Sequence, residues 1–248
     1  KVKTLEYSKV INNRTYDMDF SEVYGQEKAK RALEIAIAGG HNCLMIGTPG
    51  SGKTMLAQRV KTILPDLTLD EALEVTKINS LYGEENYKVA IERPFRNPHY
   101  TISESGLIGG GDYPKPGEVT LANSGILFLD ELTEYKPNVL EMLRTPLEDK
   151  EITISRVKAQ ITYPTNFILI AAMNPCPCGY YGSLLKKCTC SEKRRKRYVE
   201  KISGPLLDRF DLFIDVTSVE YSEFNKENKE RTSEKLKQRI ISARDIQA

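Results

Sequence analysis

Gly47-Thr48-Pro49-Gly50-Ser51-Gly52-Lys53-Thr54 satisfies every fixed position of the pattern G-x-x-x-x-G-K-[ST]. Its glycines let the backbone curl until successive N–H groups point at one anion, and a helix starting there adds its positive end. Lys53 can then reach the β- and γ-phosphates of a nucleotide, and the Thr54 hydroxyl can ligate Mg²⁺. A chance glycine turn is the competing reading, but an apolar run precedes this motif and a helical period follows it. A second element, Ile126-Leu127-Phe128-Leu129-Asp130-Glu131, sets two carboxylates at the end of a short apolar run. If that run is a buried strand, both carboxylates reach the carboxyl edge of a sheet, where open α/β folds bind ligands. Asp130 would then hold the Mg²⁺, directly or one layer out, and Glu131 would polarise an attacking water as general base. On its own this segment reads equally as two solvated carboxylates; beside a phosphate loop the catalytic reading is the better one. Asn174 ends a third apolar run, Phe167–Met173, where its amide could position water and contact the γ-phosphate, or simply begin a turn. The base-reading motif Asn-Lys-x-Asp of guanine-specific proteins is not matched. Its nearest approach, Asn225-Lys226-Glu227-Asn228, lacks the aspartate, so ATP is the expected nucleotide.

These side chains need a frame. Apolar positions Ala29, Ala32, Leu33, Ala36 and Ile37 share one helical face and predict a helix from Glu27 to Ala38, stopped by Gly39-Gly40. Cys43–Ile46 suits a buried strand, and Leu56, Val60 and Ile63 predict a helix from Gly52 to Leu64, ended by Pro65. Further buried strands are expected at Ile126–Leu129, Phe167–Ala171 and Leu212–Val216. Short strands alternating with helices imply right-handed crossovers, hence an α/β fold with a mainly parallel sheet. Glu151–Ser155 and Ala159–Tyr163 alternate like the arms of a hairpin, and Ser103–Gly117, rich in Gly and Pro, reads as a loop insertion. From Tyr221 onward the chain is charged and helix-forming with few apolar anchors.

Composition narrows the class. The 248 residues carry 40% hydrophobic and 28% charged side chains, a balance that folds rather than stays disordered. No apolar run approaches the length of a membrane span, which excludes a membrane protein of the helical kind. The sequence opens on Lys1 with no leader-like segment and reads as an excised piece of a cytoplasmic protein. Thirty-six basic against thirty-four acidic residues leave +2, too even to imply nucleic acid by itself. Locally, Lys186, Lys187, Lys193, Arg194, Arg195, Lys196 and Arg197 crowd together, either as a solvated loop or as a contact to phosphate or an acidic neighbour. Four of the five cysteines form two C-x-C pairs, Cys176/Cys178 and Cys188/Cys190. Four reduced thiols that converge suit a structural Zn²⁺, although the spacing is tighter than the usual C-x₂₋₄-C. Free or redox-active thiols and unrelated loop cysteines are the alternatives. Cys43 reads as a small buried hydrophobe, and His41 and His99 stand too isolated to be ligands.

The motif order resembles that of AAA+ ATPases. The wording of the segments is similar to the magnesium-chelatase-like members of the ComM/YifB type: Asp19-Phe20, Gly25-Gln26-Glu27-x-Ala29-Lys30-Arg31-Ala32-Leu33, Phe95-Arg96-Asn97-Pro98-His99, Gly117-Glu118-x₃-Ala122, Leu147-Glu148-Asp149 and Asn174-Pro175-Cys176-Pro177-Cys178-Gly179. The resemblance spans roughly Asp19 to Val219. It implies a P-loop module in an ATP-driven ring, a homo-oligomer that is commonly a hexamer, with each site completed by a neighbour's arginine. Arg209, in Gly204-Pro205-Leu206-Leu207-Asp208-Arg209-Phe210-Asp211, matches that position. An intrachain pair with Asp208 or Asp211 is the plainer alternative, and Arg144 and Arg156 are rivals. By the same analogy Val23, Tyr24, Gly25 and Gln26 line the adenine pocket. Leu107–Asp112 resembles a helix-2 insert and Ile154–Lys158 a hairpin tip, both expected to face a central pore. The domain division that follows is an arm at 1–20, an ATPase core at 21–219, and a linker or the start of a cut-off helical lid at 220–248. Relatives of this type act on DNA as helicases in branch migration; a chelatase-like remodeller of protein partners and an ATP-gated scaffold with little turnover are the alternatives.

Overall fold

The computed structural model describes residues 16–82, 89–157, 159–183, 186–217 and 232–247. Its strands are β1 (Cys43–Gly47), β2 (Phe95–Arg96), β3 (Gly109–Gly110), β4 (Lys115–Pro116), β5 (Ile126–Leu129), β6 (Glu151–Ser155), β7 (Gln160–Pro164), β8 (Ile168–Met173) and β9 (Leu212–Val216), of which β1, β5 and β8 form from apolar runs too short for helices. The main sheet runs β2-β5-β8-β1-β9 with every neighbour parallel, while β3-β4 and β6-β7 are separate antiparallel pairs. Ala171 of β8 is paired on one side with Leu129 and on the other with Leu44. The carboxyl ends of β5, β8 and β1 therefore lie side by side.

The helices are α1 (Glu27–Gly39), α2 (Lys53–Val60), α3 (Leu69–Tyr82), α4 (Glu104–Ile108), α5 (Glu118–Leu121), α6 (Pro137–Glu141), α7 (Arg144–Asp149), α8 (Glu192–Val199), α9 (Gly204–Leu207) and α10 (Ser233–Gln247). Successive strand side chains alternate between the two faces of the sheet. Leu44, Leu127, Leu129, Leu169 and Ala171 enter one core with Val139, Leu143 and Phe210. Cys43, Met45, Ile126, Phe128 and Ile170 enter the other, against Leu33 and Ile37 of α1, Leu56 and Val60 of α2, and Leu236 and Ile240 of α10. Each fully buried Leu, Ile or Phe contributes roughly 1.5–3 kcal/mol, so the two-faced burial is what holds the central strands in place. No helix among the described residues is long and apolar enough to cross a membrane.

Several expectations shift in detail. The helix after the phosphate motif ends at Val60 rather than Leu64, because Thr62 turns its hydroxyl onto the Arg59 carbonyl (2.7 Å) and the chain tightens there. Ile63 and Leu64 remain buried nonetheless. The third motif strand starts one residue later than Phe167 and continues to Met173. The insertion at 103–117 is not featureless: Ser103 caps α4, accepting from Gly106 N–H at 3.1 Å, and β3 and β4 follow. Most of the basic cluster lies on α8, capped by Ser191, rather than in a loop. Lys158 at the hairpin tip and the junction 218–231 lie outside the described residues, as does most of the arm.

Helix α10 is docked on the core. Ser233 N–H donates to the Asp19 carboxylate (3.1 Å), Phe20 N–H to Ser233 Oγ (2.8 Å), and Arg239 pairs with Glu34 (2.7 Å). Burial pushes the Asp19 carboxyl up, but hydrogen bonds from Ser21 and Ser233 outweigh it and hold it below the ordinary 3.8. A depressed carboxylate stabilises fully above its ordinary value and loses that contribution as pH falls through the folded one. Asp19→Asn should therefore raise hydrogen exchange in α10 at neutral pH, and acid below that window should do the same in the parent. Protection unchanged by the substitution would show that the contact does not hold the helix.

Asn42, just before β1, ties the amino-terminal edge of the sheet together. Its side chain donates to Arg209 O (3.0 Å) and accepts from Leu169 N–H (2.8 Å), while its own N–H donates to Asp211 Oδ2 (2.8 Å). Replacing it by Ala strands a buried N–H, which costs about 1–3 kcal/mol. A urea midpoint for Asn42→Ala equal to the parent's would refute that role.

Candidate nucleotide site

The phosphate loop leaves β1 and enters α2 through Gly50 (φ 76°) and Gly52 (φ 89°), both left-handed. Gly47 has no room for a side chain, since a Cβ would lie 2.2 Å from Val216 O of β9. Lys53 is 8% exposed and donates to Gly47 O (2.7 Å), Thr48 O (2.9 Å) and Asn174 Oδ1 (3.3 Å). Burial lowers the basicity of its ammonium, and the carboxylates of Asp130 and Glu131 oppose that by favouring the charge. Thr54 Oγ1 donates to Asp130 Oδ2 at 2.6 Å, and Asp130 Oδ1 accepts from Glu131 N–H at 2.9 Å.

Glu131 itself is left-handed (φ 51°, ψ 47°), unusual for a residue with a side chain. Such a conformation costs of order 1–3 kcal/mol and persists only where surrounding structure dictates it. Here the chain must turn sharply from β5 into the 3₁₀ turn Leu132–Glu134. Tyr135 follows, its hydroxyl donating to Pro98 O. Burial raises its phenol well above the ordinary range, aided by the negative charge of Asp130 and Glu131.

Because β8 lies between β5 and β1, Asn174 at its end stands between the Glu131 turn and the phosphate loop. The three sequence motifs thus meet at one edge of the sheet. Gln26 joins them: its side-chain amide donates to Ser51 O (3.1 Å) and to Thr217 O, and its own backbone is left-handed like that of Gly25. Val23 is fully buried and Tyr24 is 40% exposed.

Arg209 lies elsewhere. It precedes β9, and its carbonyl is held by Asn42, so it stands at the amino-terminal edge, opposite Lys53. Its guanidinium pairs with Glu148 rather than with Asp208 or Asp211, and its Nε is buried without a hydrogen-bond partner. Arg144 pairs with Glu141 (3.3 Å), and Arg156 sits on the β6-β7 hairpin, near Gly110.

The four paired cysteines converge, with every sulfur within 4.8 Å of the others. Backbone N–H groups of Tyr180 and Thr189 hold the Cys178 thiol down to about 5, whereas burial pushes Cys43 up to about 12.

Sequence reasoning missed Asn42, Tyr135 and the two-point pair of Arg96 with Glu118 (2.6 and 2.8 Å), which joins β2 to α5. Arg96 and Glu118 stand in two separate motif segments, a pairing that no spacing along the chain reveals. Together, a loop turned by two left-handed glycines, one buried ammonium and a hydroxyl–carboxylate pair of hard oxygen donors suit a magnesium-bound nucleoside triphosphate.

The sequence model described as "Magnesium chelatase, subunit ChlI" matches residues 19–224. The chain belongs to this magnesium chelatase family. It is 46% identical over 237 residues to YifB of Escherichia coli (strain K12), covering 95% of this chain and 46% of that protein. It is also 46% identical over 232 residues to the competence protein ComM of Haemophilus influenzae, covering 93% and 45%. The chain thus spans about half the length of these curated relatives. A magnesium-chelatase 38 kDa subunit of Cereibacter sphaeroides is 25% identical over 177 residues, 63% of this chain and 52% of that one. Among solved structures, the complex of magnesium chelatase subunits BchI and BchD matches with a TM-score of 0.57 at 21% identity, covering 92% of this chain and 66% of that one. The chelatase-like fold is accordingly a P-loop module of the AAA+ kind, as the motif order implied.

Lys53→Ala should weaken binding of a fluorescent ATP analogue by about 1.5–3 kcal/mol, the range for a hydrogen bond to a charged group. Affinity equal to the parent's would remove Lys53 from the phosphate site.

Proposed function

We propose that this chain is the ATP-hydrolysing module of a ring motor that acts on DNA in the cytoplasm. The observation that carries the reading is the meeting of Lys53, Thr54, Asp130, Glu131 and Asn174 at one sheet edge. The loop N–H groups and Lys53 hold the phosphates, and Lys53 offsets charge developing on the transferred phosphoryl group. Thr54 and Asp130 would hold Mg²⁺, which when bound neutralises the phosphate oxygens. Glu131 accepts the proton of the attacking water, and Asn174 orients that water. Val23–Gln26 border the base, since Gln26 is bonded to the phosphate loop.

Support for a ring comes from Arg209. At the sheet edge opposite its own phosphate loop it serves a neighbouring copy, and a closed hexamer gives every site one such arginine. Support for DNA comes from α8, whose Lys193, Arg194, Lys196 and Arg197 are all exposed, and from the similarity to a competence protein. The β3-β4 insert and the β6-β7 hairpin pack together, with Tyr163 donating to Pro114 O (2.7 Å), and are the surfaces offered to the pore.

Turnover of the full protein, measured with and without forked DNA, tests this. DNA should stimulate hydrolysis, and Glu131→Gln should bind nucleotide yet lose about 10²–10⁴-fold in rate. Arg209→Ala and Lys53→Ala chains, each inactive, should recover part of the activity when mixed. Turnover indifferent to DNA would favour a protein-remodelling motor, and turnover no greater than that of Glu131→Gln would leave an ATP-gated scaffold.

A further inference from the structure

Asn174 is followed at once by Pro175-Cys176-Pro177-Cys178-Gly179, and this stretch touches the phosphate loop. Gly179 is left-handed (φ 83°), and a Cβ on it would lie 2.6 Å from both Cδ and Cγ of Pro49. Its N–H donates to Cys176 O at 2.8 Å, closing a tight turn around the first C-x-C pair. The second pair approaches from the other limb. Cys176 Sγ lies 3.4 Å from Cys178 Sγ and 3.7 Å from Cys188 Sγ, and Cys178 Sγ lies 3.6 Å from Cys188 Sγ. A disulfide needs about 2.05 Å, so these sulfurs are not bonded to one another. Four thiolates around one Zn²⁺ at about 2.3 Å stand roughly 3.8 Å apart, close to the separations observed. The surroundings suit thiolates: backbone N–H groups point at the sulfurs, Cys190 N–H at Cys188 Sγ (3.4 Å) among them. Cys176 and Cys190 are buried, which fixes the site on the protein side. The knot continues into α8, where Arg195 donates to Cys190 O (2.8 Å) and lies over the Tyr181 ring.

We propose that Cys176, Cys178, Cys188 and Cys190 bind one structural Zn²⁺, and that this knot braces the phosphate loop through Gly179 on Pro49 and through Asn174 on Lys53. Binding releases the thiol protons to solvent and pins the two limbs of the loop together. Pinned limbs keep Gly179 seated on Pro49 and the Asn174 amide within reach of the Lys53 ammonium. The bracing rests on the nucleotide-site reading, whereas the metal site does not.

The test is metal content and nucleotide affinity of the full chain purified without chelator. Mass spectrometry should find one zinc per chain, and Co²⁺ in its place should give thiolate charge-transfer absorption with tetrahedral d–d bands. Cys178→Ser/Cys188→Ser should lose the metal. Chelation should weaken binding of fluorescent ADP about tenfold, equivalent to about 1.4 kcal/mol, and added Zn²⁺ should restore it. Gly179→Ala should keep its zinc yet bind nucleotide more weakly, separating bracing from metal binding. Zinc well under one per chain, or oxidised cysteine pairs in its place, would overturn the proposal, as would equal nucleotide affinity with and without the metal. A chain that holds zinc but binds no nucleotide in any form would instead sink the nucleotide-site reading.

Discussion

Everything near the site depends on holding one ammonium almost out of water. Lys53 is buried at a cost that burial alone would impose on any cation, and it is kept charged by what surrounds it. Its partners come from three places in the sequence: carbonyls of its own loop, the Asn174 amide, and the field of Asp130 and Glu131. Only a sheet that sets β8 between β5 and β1 can bring those three together. The order β2-β5-β8-β1-β9 is thus the arrangement that makes the lysine tolerable as well as the scaffold of the site.

The same arrangement explains which parts of the molecule were legible in the sequence. Residues 43–54, 126–131 and 167–174 each join a short apolar run to chemically active residues at its end, so local pattern announces both strand and site. Strand β9 was legible for the same reason, its run being bounded by charge and turn residues. Helix α3 was not, because its buried Ala72, Val75 and Ile78 are diluted by polar neighbours and one of them is a small residue. Asn42 was silent, since one asparagine in a turn carries no period; its importance lies in partners drawn from β8 and from the turn before β9. The pair Arg209–Glu148 was missed in favour of nearer carboxylates, because sequence proximity is a poor guide once a parallel sheet has folded.

The two edges of the sheet have different tasks. The carboxyl edge gathers acceptors and donors around a phosphate site, and the amino edge presents Arg209 with its backbone fixed by Asn42. Since β1 runs from Asn42 to the phosphate loop, one short buried strand joins the two. A shift of β1 relative to β8 or β9 would disturb both ends at once.

The pairing of β1 also bears on how the chain reaches this state. Both hydrogen-bonded neighbours of β1, β8 and β9, are made long after it. During synthesis the strand that carries the phosphate loop has neither sheet partner until about two thirds of the chain has emerged. Such distant parallel pairing is slow, and an apolar strand left open meanwhile invites wrong contacts. The strand order itself therefore sets how long β1 stays unpaired.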